Sequence, residues 1–260
     1  MSLIRIDQWL SLNGFANSRT HASVLIDQRQ ILIFNPTTQT WEIVTKSSLK
    51  VNTLTLLEHI KINPGPGKRY VSRGGLKLEG AFKHLNFNVK NLRVLDIGIS
   101  TGGFTDCCLQ QEAQYVVGLD VGHNQLSPQL NKYKNFIHFE GINAKNLPEY
   151  KYSISELQIP FDLIIGDLSF ISTTAVLPHL TDFLNKEGHI IFLVKPQFEL
   201  DSQALNKNGV VKDPHSYDSV KSKIYCSCEV NHLHVEDYFN SSIEGKDGNK
   251  EFFLFAKPKF

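Results

Sequence analysis

The sequence predicts an α/β fold: an open, doubly wound sheet preceded by a small α+β module. Three observations carry this. Apolar, β-branched runs recur at Val94–Ile97, Tyr115–Leu119, Phe161–Ile165 and His189–Val194, and each stops at a glycine or a charged residue, as buried strands do. The first run opens into a glycine-rich turn and then a helical pattern. Charge is divided along the chain: residues 1–90 hold 12 Lys and Arg against 5 Asp and Glu, a net of +7, and residues 91–260 hold 15 against 21, a net of −6. That asymmetry points to a polyanion gripped by the front third.

Composition bounds the answer further. At 260 residues, with 41% hydrophobic and 20% charged side chains, the chain has room for a catalytic domain and a small module. No run of 18 apolar residues suggests a membrane span. The start, MSLIRIDQWL, carries Arg5 and Asp7 and lacks a signal-peptide core, so the expected location is cytoplasmic. The cysteines, Cys107-Cys108 and Cys226-x-Cys228, have no zinc-type spacing and read as buried, reduced thiols, with no metal expected.

The front module reads as a helix over residues 3–13, with Ile6, Leu10 and Leu12 or Phe15 on its apolar side, stopped by Gly14. Asn17 or Ser18 caps a second helix whose apolar face is Ala22, Leu25 and Ile26. Arg19 lies in its first turn, where helix electrostatics favour an acid, so it is a candidate phosphate contact. Ile31–Phe34 and Trp41–Val44 alternate as strands around a turn at Pro36. Residues 1–62 thus form one expected domain, 63–71 a linker marked by Asn63-Pro-Gly-Pro-Gly67, and 72–260 the second.

The second domain opens with an amphipathic helix, N-capped by Ser72 and built on Leu76, Leu78, Ala81, Phe82 and Leu85. Lys77 sits among these apolar residues, where a lysine by default snorkels outward. Strands end at Ile97, Asp120, Phe139, Asp167 and Val194. An acid-capped helix follows Phe104. Ser172–Leu184 reads as helix, interrupted at Pro178. Residues 197–214 form a polar candidate substrate loop, Pro214–Cys228 a helix, and His232–Tyr238 and Glu251–Lys257 the last strands, joined by the loop 241–249.

The turn D-x-G-x-x-x-G-G from Asp96 to Gly103 differs from a dinucleotide fingerprint, because its carboxylate suits a cation better than a pyrophosphate. Asp120 closes the next strand 24 positions on, where a carboxylate can accept both hydroxyls of an adenosine ribose. Two acids around a glycine turn resemble the S-adenosylmethionine site of Rossmann-like class I methyltransferases. That resemblance implies cofactor contacts at Asp96, Gly98, Ser100, Thr101, Gly102, Gly103, Phe104, Asp120, Val121, Asn143 and Asp167. Glycines that merely close a tight corner are the plainer alternative.

Strand ends of an open α/β sheet converge on one crevice. Lys195 reaches it without a cofactor role, and Asp167 beside it is open to a second task. Methyl transfer to a ribose hydroxyl needs a base, and a lysine, near 10.4 in water, serves once desolvation or a second cation lowers its proton affinity. Lys77 beside Lys195 would be that cation.

Two resemblances complete the reading. Arg5, Asp7, Leu10, Ser18, Arg19, Ala22, Leu25 and Ile26 match R-x-D-x-x-L…S-R-x-x-A-x-x-L-I, so residues 1–62 resemble the S4 RNA-binding domain. The likeness fades where Arg29 replaces a turn glycine and Phe34-Asn35 replaces Asn-Gly. It implies RNA contacts at Arg5, Arg19 and Arg29, joined by Lys68, Arg69 and Arg73 at the basic junction; phosphate contacts of this kind give affinity and orientation. YVSRGGLKL, DIGISTGGFTDCCLQ, GDLSFIS, LVKPQFE, GVVKD and GNKEFFL resemble, in order, the haemolysin-A-like TlyA family of S4-linked, FtsJ-like ribosomal RNA 2′-O-methyltransferases. This implies a Lys77–Asp167–Lys195–Glu251 catalytic tetrad, cytidine 2′-hydroxyls as acceptors and ribosomal subunits as partners, with no membrane and no obligate protein partner. The alternatives are an RNA-binding protein with a relic cofactor site, a membrane-active haemolysin, and a base methyltransferase, which would want an N-P-P-Y-like motif where this chain has Asp167-Leu-Ser-Phe170.

Overall fold

The computed structural model describes residues 3–16, 18–27, 29–52, 55, 57–62, 69–245 and 248–259. The chain divides into two compact units, 1–68 and 69–260.

In the first unit, β1 (Leu3–Arg5) leads into α1 (Ile6–Leu12), followed by α2 (Arg19–Asp27), β2 (Ile31–Asn35), β3 (Thr40–Ile43), β4 (Lys50–Asn52) and β5 (Ile60–Ile62). β2 lies between β3 and β5 in an antiparallel sheet, and β1 pairs antiparallel with β4. The helices close over a core of Ile6, Trp9, Leu10, Ala22, Leu25, Ile26 and Ile31. The expected first helix is therefore shorter, because Leu3–Arg5 is claimed by a strand partner far along the chain. Leu12 points to solvent at 71% exposure, whereas Phe15 packs on the core. Ser18 caps α2, its Oγ accepting the His21 N–H at 3.1 Å; Asn17 lies outside the described residues. So do residues 63–68, the first six of the expected linker. Residues 69–71, also expected in the linker, instead belong to the second unit, where Tyr70 is buried and the Val71 amide is bonded.

The second unit holds α3 (Arg73–Leu85), β6 (Arg93–Ile97), α4 (Gly103–Gln110), β7 (Tyr115–Asp120), β8 (Phe136–Glu140), α5 (Leu147–Tyr150), β9 (Phe161–Gly166), β10 (Leu184–Val194), α6 (Pro196–Glu199), α7 (Ser216–Val230), β11 (Leu233–Asn240) and β12 (Phe252–Pro258). Its seven strands run in the order β11-β12-β10-β9-β6-β7-β8. β8, β7, β6, β9 and β10 are parallel, while β12 is antiparallel to both β10 and β11. Residues alternate between two covered faces. Val94, Val116, Leu163 and Ile191 meet α3 and α4 through Leu78, Phe82 and Cys107, while Leu95, Val117, Ile164 and Phe192 meet the opposite layer with Val220 and Ile224 of α7. Strand order reverses between β6 and β9, and a ligand crevice forms at such a switch point.

Several expectations change here. Ser172–Leu184 is three one-turn 3-10 helices, Thr173–Ala175, Leu177–His179 and Thr181–Phe183; its apolar positions are satisfied turn by turn against the core. Ser72 occupies the N-cap position of α3 but its side chain makes no capping bond. Asp106 does not cap α4, since its carboxylate accepts the Val71 amide at 2.8 Å and the Gln110 side chain. Leu76 is 41% exposed, whereas Lys77, on the neighbouring face, is buried. The substrate loop begins as helix α6 and is pinched by a bridge between Leu205 and Val211. The four cysteines are free, and Cys226 is exposed rather than buried.

Candidate active site

The turn after β6 is shaped by conformations few residues adopt. Gly102 sits at φ +89, and a Cβ there would come 2.2 Å from Leu130; only glycine fits. Gly103 lets α3 approach, because its Cβ would meet Ser72 Oγ at 2.1 Å. Ser100 is a non-glycine residue at φ +48, held there by its amide, which donates to Asp120 Oδ2 at 2.7 Å, and its hydroxyl, which donates to Gln125 at 3.1 Å. Asp120 Oδ1 accepts the Gly122 amide at 2.7 Å. The strand-end carboxylate is thus locked in orientation, with lone pairs left for a ligand.

Beside it opens a cleft of about 590 Å³ lined by Gly98, Ser100, Asp120, Val121, Asn143 and Asp167, with Ile97, Leu119, Ile142 and Leu168 as apolar walls. That volume falls in the ~300–1,000 Å³ range of small-molecule sites. A recess of about 70 Å³, lined by Asp96, Thr101, Gly103, Phe104, Ser72 and Gly74, shares Gly98, Ser100 and Asp167 with the cleft. Ten of the eleven expected cofactor residues line one or both cavities; Gly102 lines neither and serves the turn. Absent from the expected set were Ser72, Gly74, Gln125, Lys145 and the run Leu168–Ile171. That last run lies within GDLSFIS, so its position at a strand end was the available signal.

Asp96 is the most constrained group. It is 1% exposed, and its Oδ2 accepts the Thr105 hydroxyl at 2.6 Å, while Oδ1 has no hydrogen-bond partner. Burial pushes its carboxyl up to about 7, with Asp167 and Asp120 adding to the rise against the Thr105 bond. A buried carboxylate oxygen without a donor is costly. A cationic ligand group removes that cost.

The four expected catalytic residues form two ion pairs. Lys77 Nζ donates to Glu251 Oε2 at 2.5 Å, both side chains being at most 10% exposed. Lys195 Nζ lies 2.7 Å from Asp167 Oδ1 and donates to Ser169 Oγ at 2.9 Å; Asp167 Oδ1 is out of line for a hydrogen bond and accepts none. Strand register brings the pairs to one edge. Val194 pairs with Phe252 across β10 and β12, so Lys195 and Glu251 are the next positions on adjacent strands. Asp167 directly follows β9, β10's other neighbour, and its Oδ2 is 3.6 Å from where a Cβ on Gly74 would sit, one turn before Lys77. Next to them Phe170 is 92% exposed at φ +63, its ring 5.2 Å from that of Phe198.

The expected RNA contacts are placed as follows. Asp7, buried, accepts two bonds from Arg5, at 3.1 and 3.0 Å, and one from Arg19 at 3.3 Å. Arg5 above all holds this carboxyl below the usual range. Arg29 is exposed at φ +55, the left-handed region a glycine would take. Arg69 pairs with Glu79, and Arg73 donates to the Glu244 carbonyl at 3.1 Å. Lys68 lies outside the described residues. Among the described residues no cluster suited to a metal occurs, and no helix is long and apolar enough to cross a membrane.

A doubly wound sheet with an acidic glycine turn and a cation–carboxylate cluster at its switch point is the architecture of a methyltransferase. The family model of the FtsJ-like methyltransferases matches residues 70–257, and the chain belongs to that family. It is 33% identical over 258 residues to the 16S/23S rRNA (cytidine-2′-O)-methyltransferase TlyA of Mycobacterium tuberculosis, covering 98% of this chain and 90% of that one. It is 34% identical to Hemolysin A of Brachyspira hyodysenteriae, covering 85% of this chain and 84% of that one. A solved structure of a hemolysin candidate from Streptococcus thermophilus superposes with a TM-score of 0.72 at 30% identity, covering all of this chain and 90% of that one.

Proposed function

We propose that the chain transfers a methyl group from S-adenosylmethionine to a ribose 2′-hydroxyl, that of a cytidine in ribosomal RNA, in the cytoplasm. The observation that carries this is the meeting of Asp167, Lys195 and Glu251 on adjacent strand ends beside the cleft, with Lys77 of α3 paired to Glu251.

The residues present suit the cofactor: Asp120 offers an oriented carboxylate, Asp96 a buried carboxylate whose Oδ1 has no donor, and Gly98 a wall without a side chain. When bound, S-adenosylmethionine supplies the electrophilic methyl group. Lys195, in its neutral form, takes the proton of the acceptor hydroxyl at Nζ, so that the oxygen can attack. Asp167 and Ser169 fix where that amine points, and Glu251 holds the Lys77 amine in place on the adjacent strand end. The exposed Phe170 ring offers a stacking face for an unpaired acceptor base. Arg5 and Arg19, docked on Asp7, present their remaining donors to RNA phosphates, as does Arg29, while Arg69 and Arg73 of the second unit contact RNA phosphates in their own right.

The test is incubation of the pure chain with labelled S-adenosylmethionine and separated ribosomal subunits, followed by nucleotide mapping. Label at a 2′-oxygen of cytidine is expected. Label on a base, or none in RNA, overturns the reading.

A further inference from the structure

Glu199 is a buried acid with no part in the chemistry described above. It ends α6, four residues after Lys195, and is 7% exposed. Its Oε2 accepts the Ser172 hydroxyl and its Oε1 the Thr173 amide, both at 2.5 Å. Lys223 of α7 backs it from behind, with Nζ 3.3 Å from Oε2 and donating to the Glu199 carbonyl at 2.8 Å. One carboxylate thus ties the end of the 167–173 loop to the helix that follows the proposed base, and both to α7.

The loop needs such an anchor. Its front end is fixed by β9, and residues 167–171 all line the cleft. In the middle stands Phe170, 92% exposed at φ +63, a left-handed conformation that an exposed aromatic residue does not hold unaided. Its ring meets that of Phe198, on the helix that Glu199 ends. We infer that Glu199 is a positioning residue: by gripping Ser172 and Thr173 it holds the 167–171 loop taut, so that Asp167, Ser169 and Phe170 face Lys195 and the acceptor nucleotide. This rests on the function proposed above. It assigns the acceptor wall of the cleft to one grip and leaves the Asp120 wall independent of it.

The experiment compares wild type, Glu199→Ala and Glu199→Gln in steady-state methylation of ribosomal subunits, cofactor binding and amide exchange. Glu199→Ala is expected to lower kcat about 10–100-fold, the scale of a small misplacement of reacting groups, and to raise KM for RNA. Its cofactor Kd should rise by less than kcat falls, because the Asp120 side of the cleft is untouched. Glu199→Gln keeps an acceptor for the Thr173 amide and a partner for the Ser172 hydroxyl, and should restore most of kcat. Amides of residues 168–173 should exchange faster in the alanine variant alone. Unchanged kcat and exchange in a folded Glu199→Ala protein overturn the inference, as does equal loss of cofactor binding in both variants. Should Glu199→Ala fail to fold, Ser172→Ala carries the test: about 3–10-fold lower kcat supports the grip, and no change overturns it. If wild type itself fails to methylate RNA, the proposed function falls, and exchange at 168–173 still decides the grip.

Discussion

The two walls of the cleft are built on different principles. The proposed cofactor wall is local: Gly98 to Phe104 form one turn, and Asp120, 20 residues after Ser100, is bonded directly to it through the Ser100 amide. The acceptor wall is assembled from afar. Lys77 and Glu251 stand 174 positions apart, and Lys195 meets Ser169 across 26. A short backbone turn can be specified by a few residues with unusual dihedrals. A cluster of ionised groups needs several strands and a helix in register before any member has its partner. The difference teaches that the binding half can tolerate injury to the reactive half, and substitutions on each wall should break different observables.

The largest separation is expected from Lys195→Ala, which should lower single-turnover methylation about 10²–10⁴-fold, the scale of general-base catalysis. Equilibrium dialysis should show cofactor affinity unchanged, and undiminished turnover would remove the lysine from the mechanism. Lys77→Ala strands the buried Glu251 carboxylate. Loss of one partner of such a pair costs about 3–5 kcal/mol, visible as a drop in denaturation midpoint. Asp120→Ala should invert the pattern: about 10–100-fold weaker cofactor binding, from lost hydrogen bonds to the ligand and to the turn, with RNA affinity intact in a filter-binding assay.

The smallest effect is graded with pH. Asp96 is raised by burial to about 7, above the ~3.9 of an exposed aspartate. Below both values the acid is protonated in either state. Between about pH 4 and pH 7 the unfolded chain ionises it while the native site resists, so its contribution to stability is lost as pH rises through that window. A cationic ligand needs the ionised form. Cofactor affinity should therefore fall as pH drops below 7, by up to about tenfold per unit, and calorimetry should show proton release on binding near neutrality. Asp96→Asn should flatten the profile; a flat wild-type profile would detach Asp96 from the ligand.

What the sequence disclosed follows the same division. The strands of the large sheet, the glycine turn and Asp120 were legible because periodicity and turn chemistry are local. Asp167 and Lys195 were legible as candidates from their strand-end positions and Lys77 as a second cation, whereas Glu251 entered only through motif resemblance, since no spacing links it to Lys77. Lys77 itself defied the default of an outward-reaching lysine, because a carboxylate from β12 waits inside. Short elements were lost for the complementary reason: Leu3–Arg5 is mostly exposed and extended only because Lys50–Asn52 pairs with it. The run 172–184 looked helical because its apolar residues do face the core, though it resolves into single 3-10 turns, with Pro178 inside the second.

Strand β12 enters against the direction of its neighbours, and that inversion sets a timetable. Parallel strands offer their finishing ends to the crevice, whereas β12 offers its beginning, so Glu251 arrives there as the strand slides between β10 and β11. Without β12, β10 and β11 would have no strand between them and Lys77 no counter-ion. The charge buried in α3 is therefore neutralised only once that strand is in register.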